Sequence, residues 1–333
     1  MKVAFFSTKS YDRQSFNNYL HNSSHEFTYF EPKLDHNTVA LANGFDVICS
    51  FVNDHLDSKI LTKLSEMGIK SIVLRCAGYN QVDLEKAAEL EIKICRVPAY
   101  SPEAVAEHAL ALLMTLSRKT HKAYNRVREN NYVIEGLTGF NIHGKTAGIV
   151  GTGAIGKAFC KIMLGMGCKV LAYDIYENED LKNQGVSYLP LEEIFKQSDI
   201  ISLHCPLTPD TYHLINNKSL SMMKDEVVII NTSRGALIET KEVIESLKSG
   251  KVGNFGIDVY EQEEDLFFRN LSEQILLDED IARLMTFPNV LITGHQAFLT
   301  HEALAQIAKI TLQNLDELAE GKDLTNEVKW KQA

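Results

Sequence analysis

The sequence predicts an α/β protein of two doubly wound parallel-sheet domains, one inserted into the other, and three observations carry that expectation. Short apolar runs alternate with helically spaced segments, the rhythm of βα units around a parallel sheet. That series occurs twice, separated by a long helical stretch. A chain of 333 residues also exceeds a single core of about 150 residues, so two cores are expected.

The elements follow in order. MKVAFF reads as a first strand, because it lacks the long apolar stretch and small-residue cleavage site of a secretory leader. FDVICSF, SIVLR and IKICRV continue the strands, with DSKILTKLSEM and VDLEKAAELE as helices, and this half ends near Val97. SPEAVAEHALALLMTLSRKTHKAYNRVREN should then be a long helix, with Ser101 as N-cap, Pro102 as first helical residue and Glu103 as first-turn acid. Ala106, Ala109, Leu110, Leu113 and Leu116 are helically spaced along it. Six more strands are expected in TAGIVG, KVLAYD, DIISLH, EVVIIN, VGNFGIDV and NVLITG. The last helix, EALAQIAKITLQNLDELAEG, needs something to cover its apolar face, and the simplest arrangement returns it to the first domain. The expected domains are therefore 1–100 with 299–333, and 101–298 between them, with hinges near 98–101 and 297–301.

Composition excludes several partners. With 34 basic against 44 acidic residues and no Lys/Arg block, neither a nucleic acid nor an anionic membrane surface is expected. No apolar run approaches the roughly 18 residues of a membrane span. The six cysteines (Cys49, Cys76, Cys95, Cys160, Cys168, Cys205) show no CxxC spacing and read as reduced core thiols of a cytoplasmic protein. The histidines and carboxylates lack close ligand spacing, so no metal is expected.

The most informative motif opens the second series. In TAGIVGTGAIGKAF, Gly151, Gly153 and Gly156 follow an apolar strand and precede a helix. Gly151 permits the tight turn, Gly153 lets backbone approach a pyrophosphate, and Gly156 lets the helix pack on the strand. Eighteen residues past Gly156 the next strand ends in Asp174, whose carboxylate suits ribose hydroxyls and repels a 2′-phosphate. The alternative is a chance glycine turn with a surface aspartate. The inserted domain is thus expected to be Rossmann-type and to bind NAD, leaving the discontinuous, flavodoxin-like domain to the substrate.

Hydride transfer to a keto acid needs a cation for the carboxylate and developing oxyanion, a proton donor, and a group that orients the donor. Ligands gather at the carboxyl ends of such strands. Those ends carry four polar clusters: His204 in SLHCPLTP, Thr232-Ser233-Arg234-Gly235 in IINTSRGA, Asp258 with Glu261 and Glu263 in GIDVYEQEED, and His295 in ITGHQAF. Arg234 offers paired planar donors, a histidine exchanges protons near neutrality, and a glutamate on the ring's other nitrogen stabilises the imidazolium. Position alone leaves His295 and His204 as rivals. The bland alternatives are a salt bridge for Arg234 and a solvated loop for EQEED.

Taken together, RCAGYNQVD (75–83), VPAYSPEAVAEH (97–108), GLTGFNIHGKTAGIVGTGAIG (136–156), ISLHCPLTP (201–209), NTSRGALI (231–238), DVYEQEEDLFF (258–268) and TGHQAFLT (293–300) make the chain similar to the D-isomer-specific 2-hydroxyacid dehydrogenases, and within them to the fermentative D-lactate branch. The resemblance implies NADH-dependent, reversible reduction of pyruvate, with Arg234 polarising the keto acid, His295 as acid/base and Glu263 as its partner. It also implies that Ala154, Ile155 and Asp174 hold the adenosine diphosphate portion. Cys205, Pro206, Thr211, Thr232, Ser233, Arg234 and Asp258 would line the rest of the NAD site. Ala77, Gly78, Tyr100 and Phe298 would serve the substrate across a closing interdomain cleft. Ala154 is a departure, since some relatives carry a longer polar residue there and a pyrophosphate contact is lost. The resemblance further implies a homodimer, or a higher homo-oligomer, formed through the helix from Ser101 and the following GLTGFNIHG arm. A nicotinamide-sensing interaction protein, or a reductase of glyoxylate, hydroxypyruvate or bulkier keto acids, are the alternatives.

Overall fold

The computed structural model describes residues 1–21 and 23–330. It divides into two compact units, Met1–Ser101 with Phe298–Ala333, and Pro102–Ala297. Ser101 and Phe298 thus go with the first unit, not the second, where the sequence reading put them.

The first unit contains β1 (Lys2–Phe5), α1 (Ser10–Leu20), β2 (Glu26–Tyr29), β3 (Val47–Ser50), α2 (Ser58–Glu66), β4 (Ser71–Leu74), α3 (Leu84–Glu89) and β5 (Lys93–Cys95). Its five parallel strands lie in the order β2-β1-β3-β4-β5, the flavodoxin-like winding. β3 and β4 are buried along their whole length, which explains why they read as unbroken apolar runs. β2 was not foreseen: its residues alternate between exposed and half-buried at the sheet edge, so no apolar run announces it.

The second unit begins with α4 (Pro102–Arg118) and α5 (Thr120–Arg128). One long helix was expected here; the chain breaks at Lys119, which takes the left-handed conformation (φ 53°). Then come β6 (Thr146–Val150), α6 (Ala154–Gly165), β7 (Lys169–Tyr173), α7 (Glu179–Asn183), β8 (Ser187–Tyr188), α8 (Leu191–Gln197), β9 (Ile200–Leu203), α9 (Asn217–Met222), β10 (Val227–Asn231), α10 (Thr240–Ser249), β11 (Val252–Ile257), α11 (Glu279–Thr286) and β12 (Val290–Ile292). The order β12-β11-β10-β9-β6-β7-β8, all parallel, is the Rossmann arrangement with an extra strand beyond β11. The two-residue β8 brings the count to seven instead of the expected six. Apolar layers cover both faces: Leu112, Phe159 and Met163 on one, Leu220, Val243 and Leu284 on the other. Finally α12 (His301–Ala319) packs on α1 and β4, as its apolar stripe required.

The apolar face of α4 proves to be covered within its own unit. Ala106, Ala109, Leu112, Leu113 and Leu116 are buried against α6 and the sheet, and Ile142 of the arm joins them. The exposed apolar side chains lie further on, at Tyr124, Val127, Tyr132, Val133 and Ile134. All six cysteines are buried thiols, and desolvation pushes Cys160 up to about 12 and Cys205 to about 11. Among the described residues no helix is long and apolar enough to cross a membrane, and no group of three or more His, Cys, Asp or Glu could hold a metal ion.

Candidate active site

The cofactor half is built at the carboxyl ends of β6 and β7. Gly151 has φ +92°, and a Cβ there would stand 2.6 Å from the Cys205 amide nitrogen. A Cβ on Gly156 would stand 1.9 Å from the Gly151 carbonyl oxygen, so helix and turn touch only because both residues are glycine. At Gly153, the N-cap of α6, a Cβ would meet nothing within 4 Å. Open space therefore lies before the helix amides of Ala154 and Ile155, where an anion is favoured. Asp174 is held in place: Oδ2 accepts from the Thr152 amide (2.5 Å) and hydroxyl (3.1 Å), and Oδ1 from the Tyr176 amide (3.0 Å). Tyr188 of β8 donates to Thr152 Oγ1 at 2.9 Å, so the unforeseen strand braces the fingerprint turn. Further along, Ser233 Oγ donates to the Cys205 carbonyl (2.7 Å), Thr211 Oγ1 to the Pro206 carbonyl (2.7 Å), and the Thr232 hydroxyl is buried with no partner. An open cradle before α6, a fixed carboxylate and an orphan hydroxyl fit a dinucleotide.

Three neighbouring parallel strands deliver the chemical groups. Arg234 follows β10, Glu263 lies beyond β11, and His295 follows β12. Asn231, wholly buried, braces the first turn: its Nδ2 donates to the Arg234 carbonyl (2.8 Å) and its Oδ1 accepts from the Ser233 amide (3.0 Å). A Cβ on Gly235 would fall 2.0 Å from the Tyr260 carbonyl carbon and 2.3 Å from the Glu261 nitrogen. The Arg234 turn and the loop bearing Glu263 are thus in backbone contact. Glu263 Oε2 accepts from the Tyr260 amide (2.8 Å), while Oε1 is 2.7 Å from His295 Nδ1. A carboxylate only accepts, so Nδ1 carries the proton in that bond and Nε2 remains to exchange one. The Phe268 ring lies 5.8 Å from the imidazole, centroid to centroid.

His295 has φ 54°, a conformation more accessible to His, Asn and Asp than to most residues. Asp258 holds the turn. Its backbone carbonyl accepts the His295 N–H at 2.7 Å; its carboxylate takes the Thr293 hydroxyl (2.5 Å) and the amides of Gln296 (2.9 Å) and Ala297 (2.8 Å). The residue is wholly buried, and its carboxylate is engaged by the turn. Burial alone would raise its pKa, but hydrogen bonds from His108, Thr293 and the two amides outweigh that and hold it below the usual carboxylate range.

A depressed carboxyl pKa stabilises the fold above its unfolded value, about pH 4, and that contribution disappears as pH falls through the lower folded value. The variant Asp258→Asn should therefore lose about 2 kcal/mol at pH 7. It should also unfold less steeply in acid than the parent, as checked by urea titrations from pH 7 downward.

The rival histidine has a different environment. His204 Nε2 is 2.9 Å from Ser202 Oγ, its Nδ1 is buried without a partner, and Phe159 lies against the ring at 5.0 Å. Burial pushes its pKa down to about 3, which removes it as a proton donor near neutrality.

In the first unit Phe298 (8% exposed) is the hub of an aromatic group. Its centroid lies 5.9 Å from Phe51 and 6.3 Å from both Tyr11 and Tyr100. Beneath, the buried Arg75 guanidinium lies between the Phe5 and Phe51 rings, 4.3 and 4.6 Å from their centroids, and bonds Asp12 and the Ser7 carbonyl. Ala77 and Gly78 follow β4; their carbonyls accept from Arg96 Nη1 (2.8 Å) and Cys76 Sγ (3.2 Å). Tyr11, Phe51, Asn231, Thr293 and His108 were not singled out from the sequence. Asn231 acts on its near neighbours Ser233 and Arg234, while the other four matter through partners distant in the chain, which periodicity does not register.

Comparison with known proteins places relatives along the whole chain. The family described as "D-isomer specific 2-hydroxyacid dehydrogenase, NAD binding domain" matches residues 110–297. The chain is 50% identical over 328 residues to a 2-hydroxyacid dehydrogenase homolog of Haemophilus influenzae, covering 98% of each. It is 49% identical to the D-lactate dehydrogenase of Escherichia coli, covering 98% of this chain and 100% of that one. The apo structure of the Escherichia coli D-lactate dehydrogenase superposes with a TM-score of 0.90 at 47% identity, over 98% and 100% of the two chains.

Proposed function

The chain belongs to the D-isomer specific 2-hydroxyacid dehydrogenase family, NAD-dependent enzymes, and from that premise we propose that it is a D-lactate dehydrogenase reducing pyruvate reversibly to D-lactate. The observation that carries the mechanism is the 2.7 Å pairing of His295 Nδ1 with Glu263 on the loop against which the Arg234 turn packs. When bound, NADH supplies the hydride, and the chain's own residues do the rest. Arg234 binds the keto-acid carboxylate and polarises the carbonyl. His295 Nε2 gives its proton to the carbonyl oxygen in reduction and takes it back in oxidation. Glu263 fixes the ring and stabilises the imidazolium.

We assign the adenosine diphosphate portion to Gly151, Gly153, Ala154, Ile155, Gly156 and Asp174. Cys205, Pro206, Thr211, Thr232 and Ser233 are assigned to the remainder of the cofactor. Asp258 belongs with the His295 turn. In the first unit, the Ala77 and Gly78 amides and the Tyr100 and Phe298 rings are assigned to the substrate, a compact aromatic wall suited to a methyl group. The exposed Tyr124, Tyr132 and Ile134 support association of a second copy through the segment after α4.

A panel of 2-keto acids with NADH and NADPH tests the reading. The expected result is that pyruvate with NADH gives the highest kcat/KM and that the product is D-lactate by stereospecific coupling. Preference for glyoxylate, hydroxypyruvate or a branched keto acid would overturn the substrate. Tight NADH binding with no turnover on any acid would make the protein a sensor instead.

A further inference from the structure

We propose that His108, on α4, is a positioning residue for the acid–base turn: through Asp258 and Thr293 it holds the backbone that aims His295. The inference rests on the reading of His295 as the proton carrier.

His108 interrupts an otherwise apolar stripe, lying between the buried Val105, Ala109 and Leu112 on the face of α4 that packs against β10, β11 and β12. Its side chain is 17% exposed, and a polar ring in such a place needs a partner. The partners come from 150 and 185 residues away. His108 Nε2 is 3.3 Å from Asp258 Oδ1 and 3.0 Å from Thr293 Oγ1.

Proton accounting fixes the direction. The Thr293 hydroxyl has one proton and gives it to the Asp258 carboxylate at 2.5 Å, so towards His108 it can only accept. His108 Nε2 therefore carries a hydrogen, shared between hydroxyl and carboxylate, in the neutral and the charged ring alike. Asp258 Oδ1 thus collects His108, Thr293 and the Gln296 amide, and Oδ2 collects the Ala297 amide. Every donor except His108 belongs to the turn that carries His295. His108 is the only one anchored on a helix, and so links the turn to the rigid α4 framework.

With Asp258 wholly buried, no solvent replaces a lost donor. Removing the imidazole leaves the hydroxyl and carboxylate to rearrange, and the turn with them. Because His295 is held at a left-handed φ by that same turn, a shift of a few tenths of an ångström in its backbone is enlarged at Nε2. A misplacement of about 1 Å costs on the order of a hundredfold in rate.

The test uses the full-length protein with pyruvate and NADH, comparing His108→Leu, His108→Gln, Thr293→Val and His295→Gln. Each is characterised by kcat, KM, NADH dissociation constant, Tm and the deuterium isotope effect from NADH labelled at the transferred position. His108→Leu should lower kcat about 30-fold, keep KM and NADH affinity within about threefold, and raise the isotope effect because chemistry becomes more rate-limiting. His108→Gln, which retains an N–H at similar reach, should recover most of the turnover. Thr293→Val should reproduce the Leu phenotype and stands in for it if that variant fails to fold.

A lowered Tm with kcat and isotope effect unchanged would make His108 merely structural and overturn the proposal. Weakened NADH binding with unchanged kcat would overturn it too. If His295→Gln is inactive while His108→Leu behaves as the parent, only the present inference falls; if His295→Gln retains turnover, the acid–base reading falls and takes this one with it.

Discussion

Replacing His295 by glutamine is expected to lower the turnover of pyruvate by about 10² to 10⁴ while leaving NADH affinity within about twofold. Glutamine keeps a donor that reaches Glu263 Oε1, where the imidazole now sits at 2.7 Å, but it has no proton to give or take. The loss is one of general acid catalysis alone, because Arg234 and the cofactor turn are built on other strands. Backbone strain is a separate matter: the residue sits at φ 54°, which costs glutamine something and asparagine less. His295→Asn is therefore the companion variant. Equal loss in both points to the missing proton, and loss in glutamine alone points to the turn. Full activity in either would refute the assignment.

That prediction could be framed from the sequence, but strand-end position alone left the choice behind it open, and only the family resemblance made it. Strand ends were legible because buried parallel strands are short apolar runs whose following polar residues stand out; the clusters holding Arg234, Glu263 and His295 were read that way, and the resemblance singled out Glu263 within the acidic run. His204 satisfied the same criterion equally well. What separates the two is environment: one ring is desolvated beside Phe159 with an orphan nitrogen, the other paired to a carboxylate.

Environment arises from contacts between residues far apart in the chain, and local pattern is silent there. The same silence hid His108, 185 residues from the hydroxyl it holds, and the hold of the Asp258 carboxylate on the His295 turn. The missed strands failed for a simpler reason. β2 is half-exposed and β8 only two residues long, so neither has the buried run that made its neighbours readable. The break at Lys119 had no signal, since no glycine or proline marks the left-handed residue.

The variant Arg234→Gln should lower kcat/KM for pyruvate by about 10³ or more, roughly 4 kcal/mol, because it removes a charged donor from both the carboxylate and the developing oxyanion. The two contributions are separable. Binding the carboxylate stabilises ground and transition states alike and appears in KM; polarising the carbonyl strengthens only as negative charge builds and appears in kcat. Arg234→Lys retains the charge but not the paired planar geometry, so its loss should be smaller, about 10², and weighted towards KM.

The turn itself should survive either change. Asn231 grips the backbone carbonyl of residue 234, not its side chain, and Gly235 keeps its contact with the Tyr260–Glu261 peptide. Tm and NADH affinity are accordingly expected to stay near the parent's. If Arg234→Gln raised KM but left kcat intact, the guanidinium would be a carboxylate clamp only, and the charge on the reacting oxygen would need another partner, a part the proposed His295 imidazolium could take.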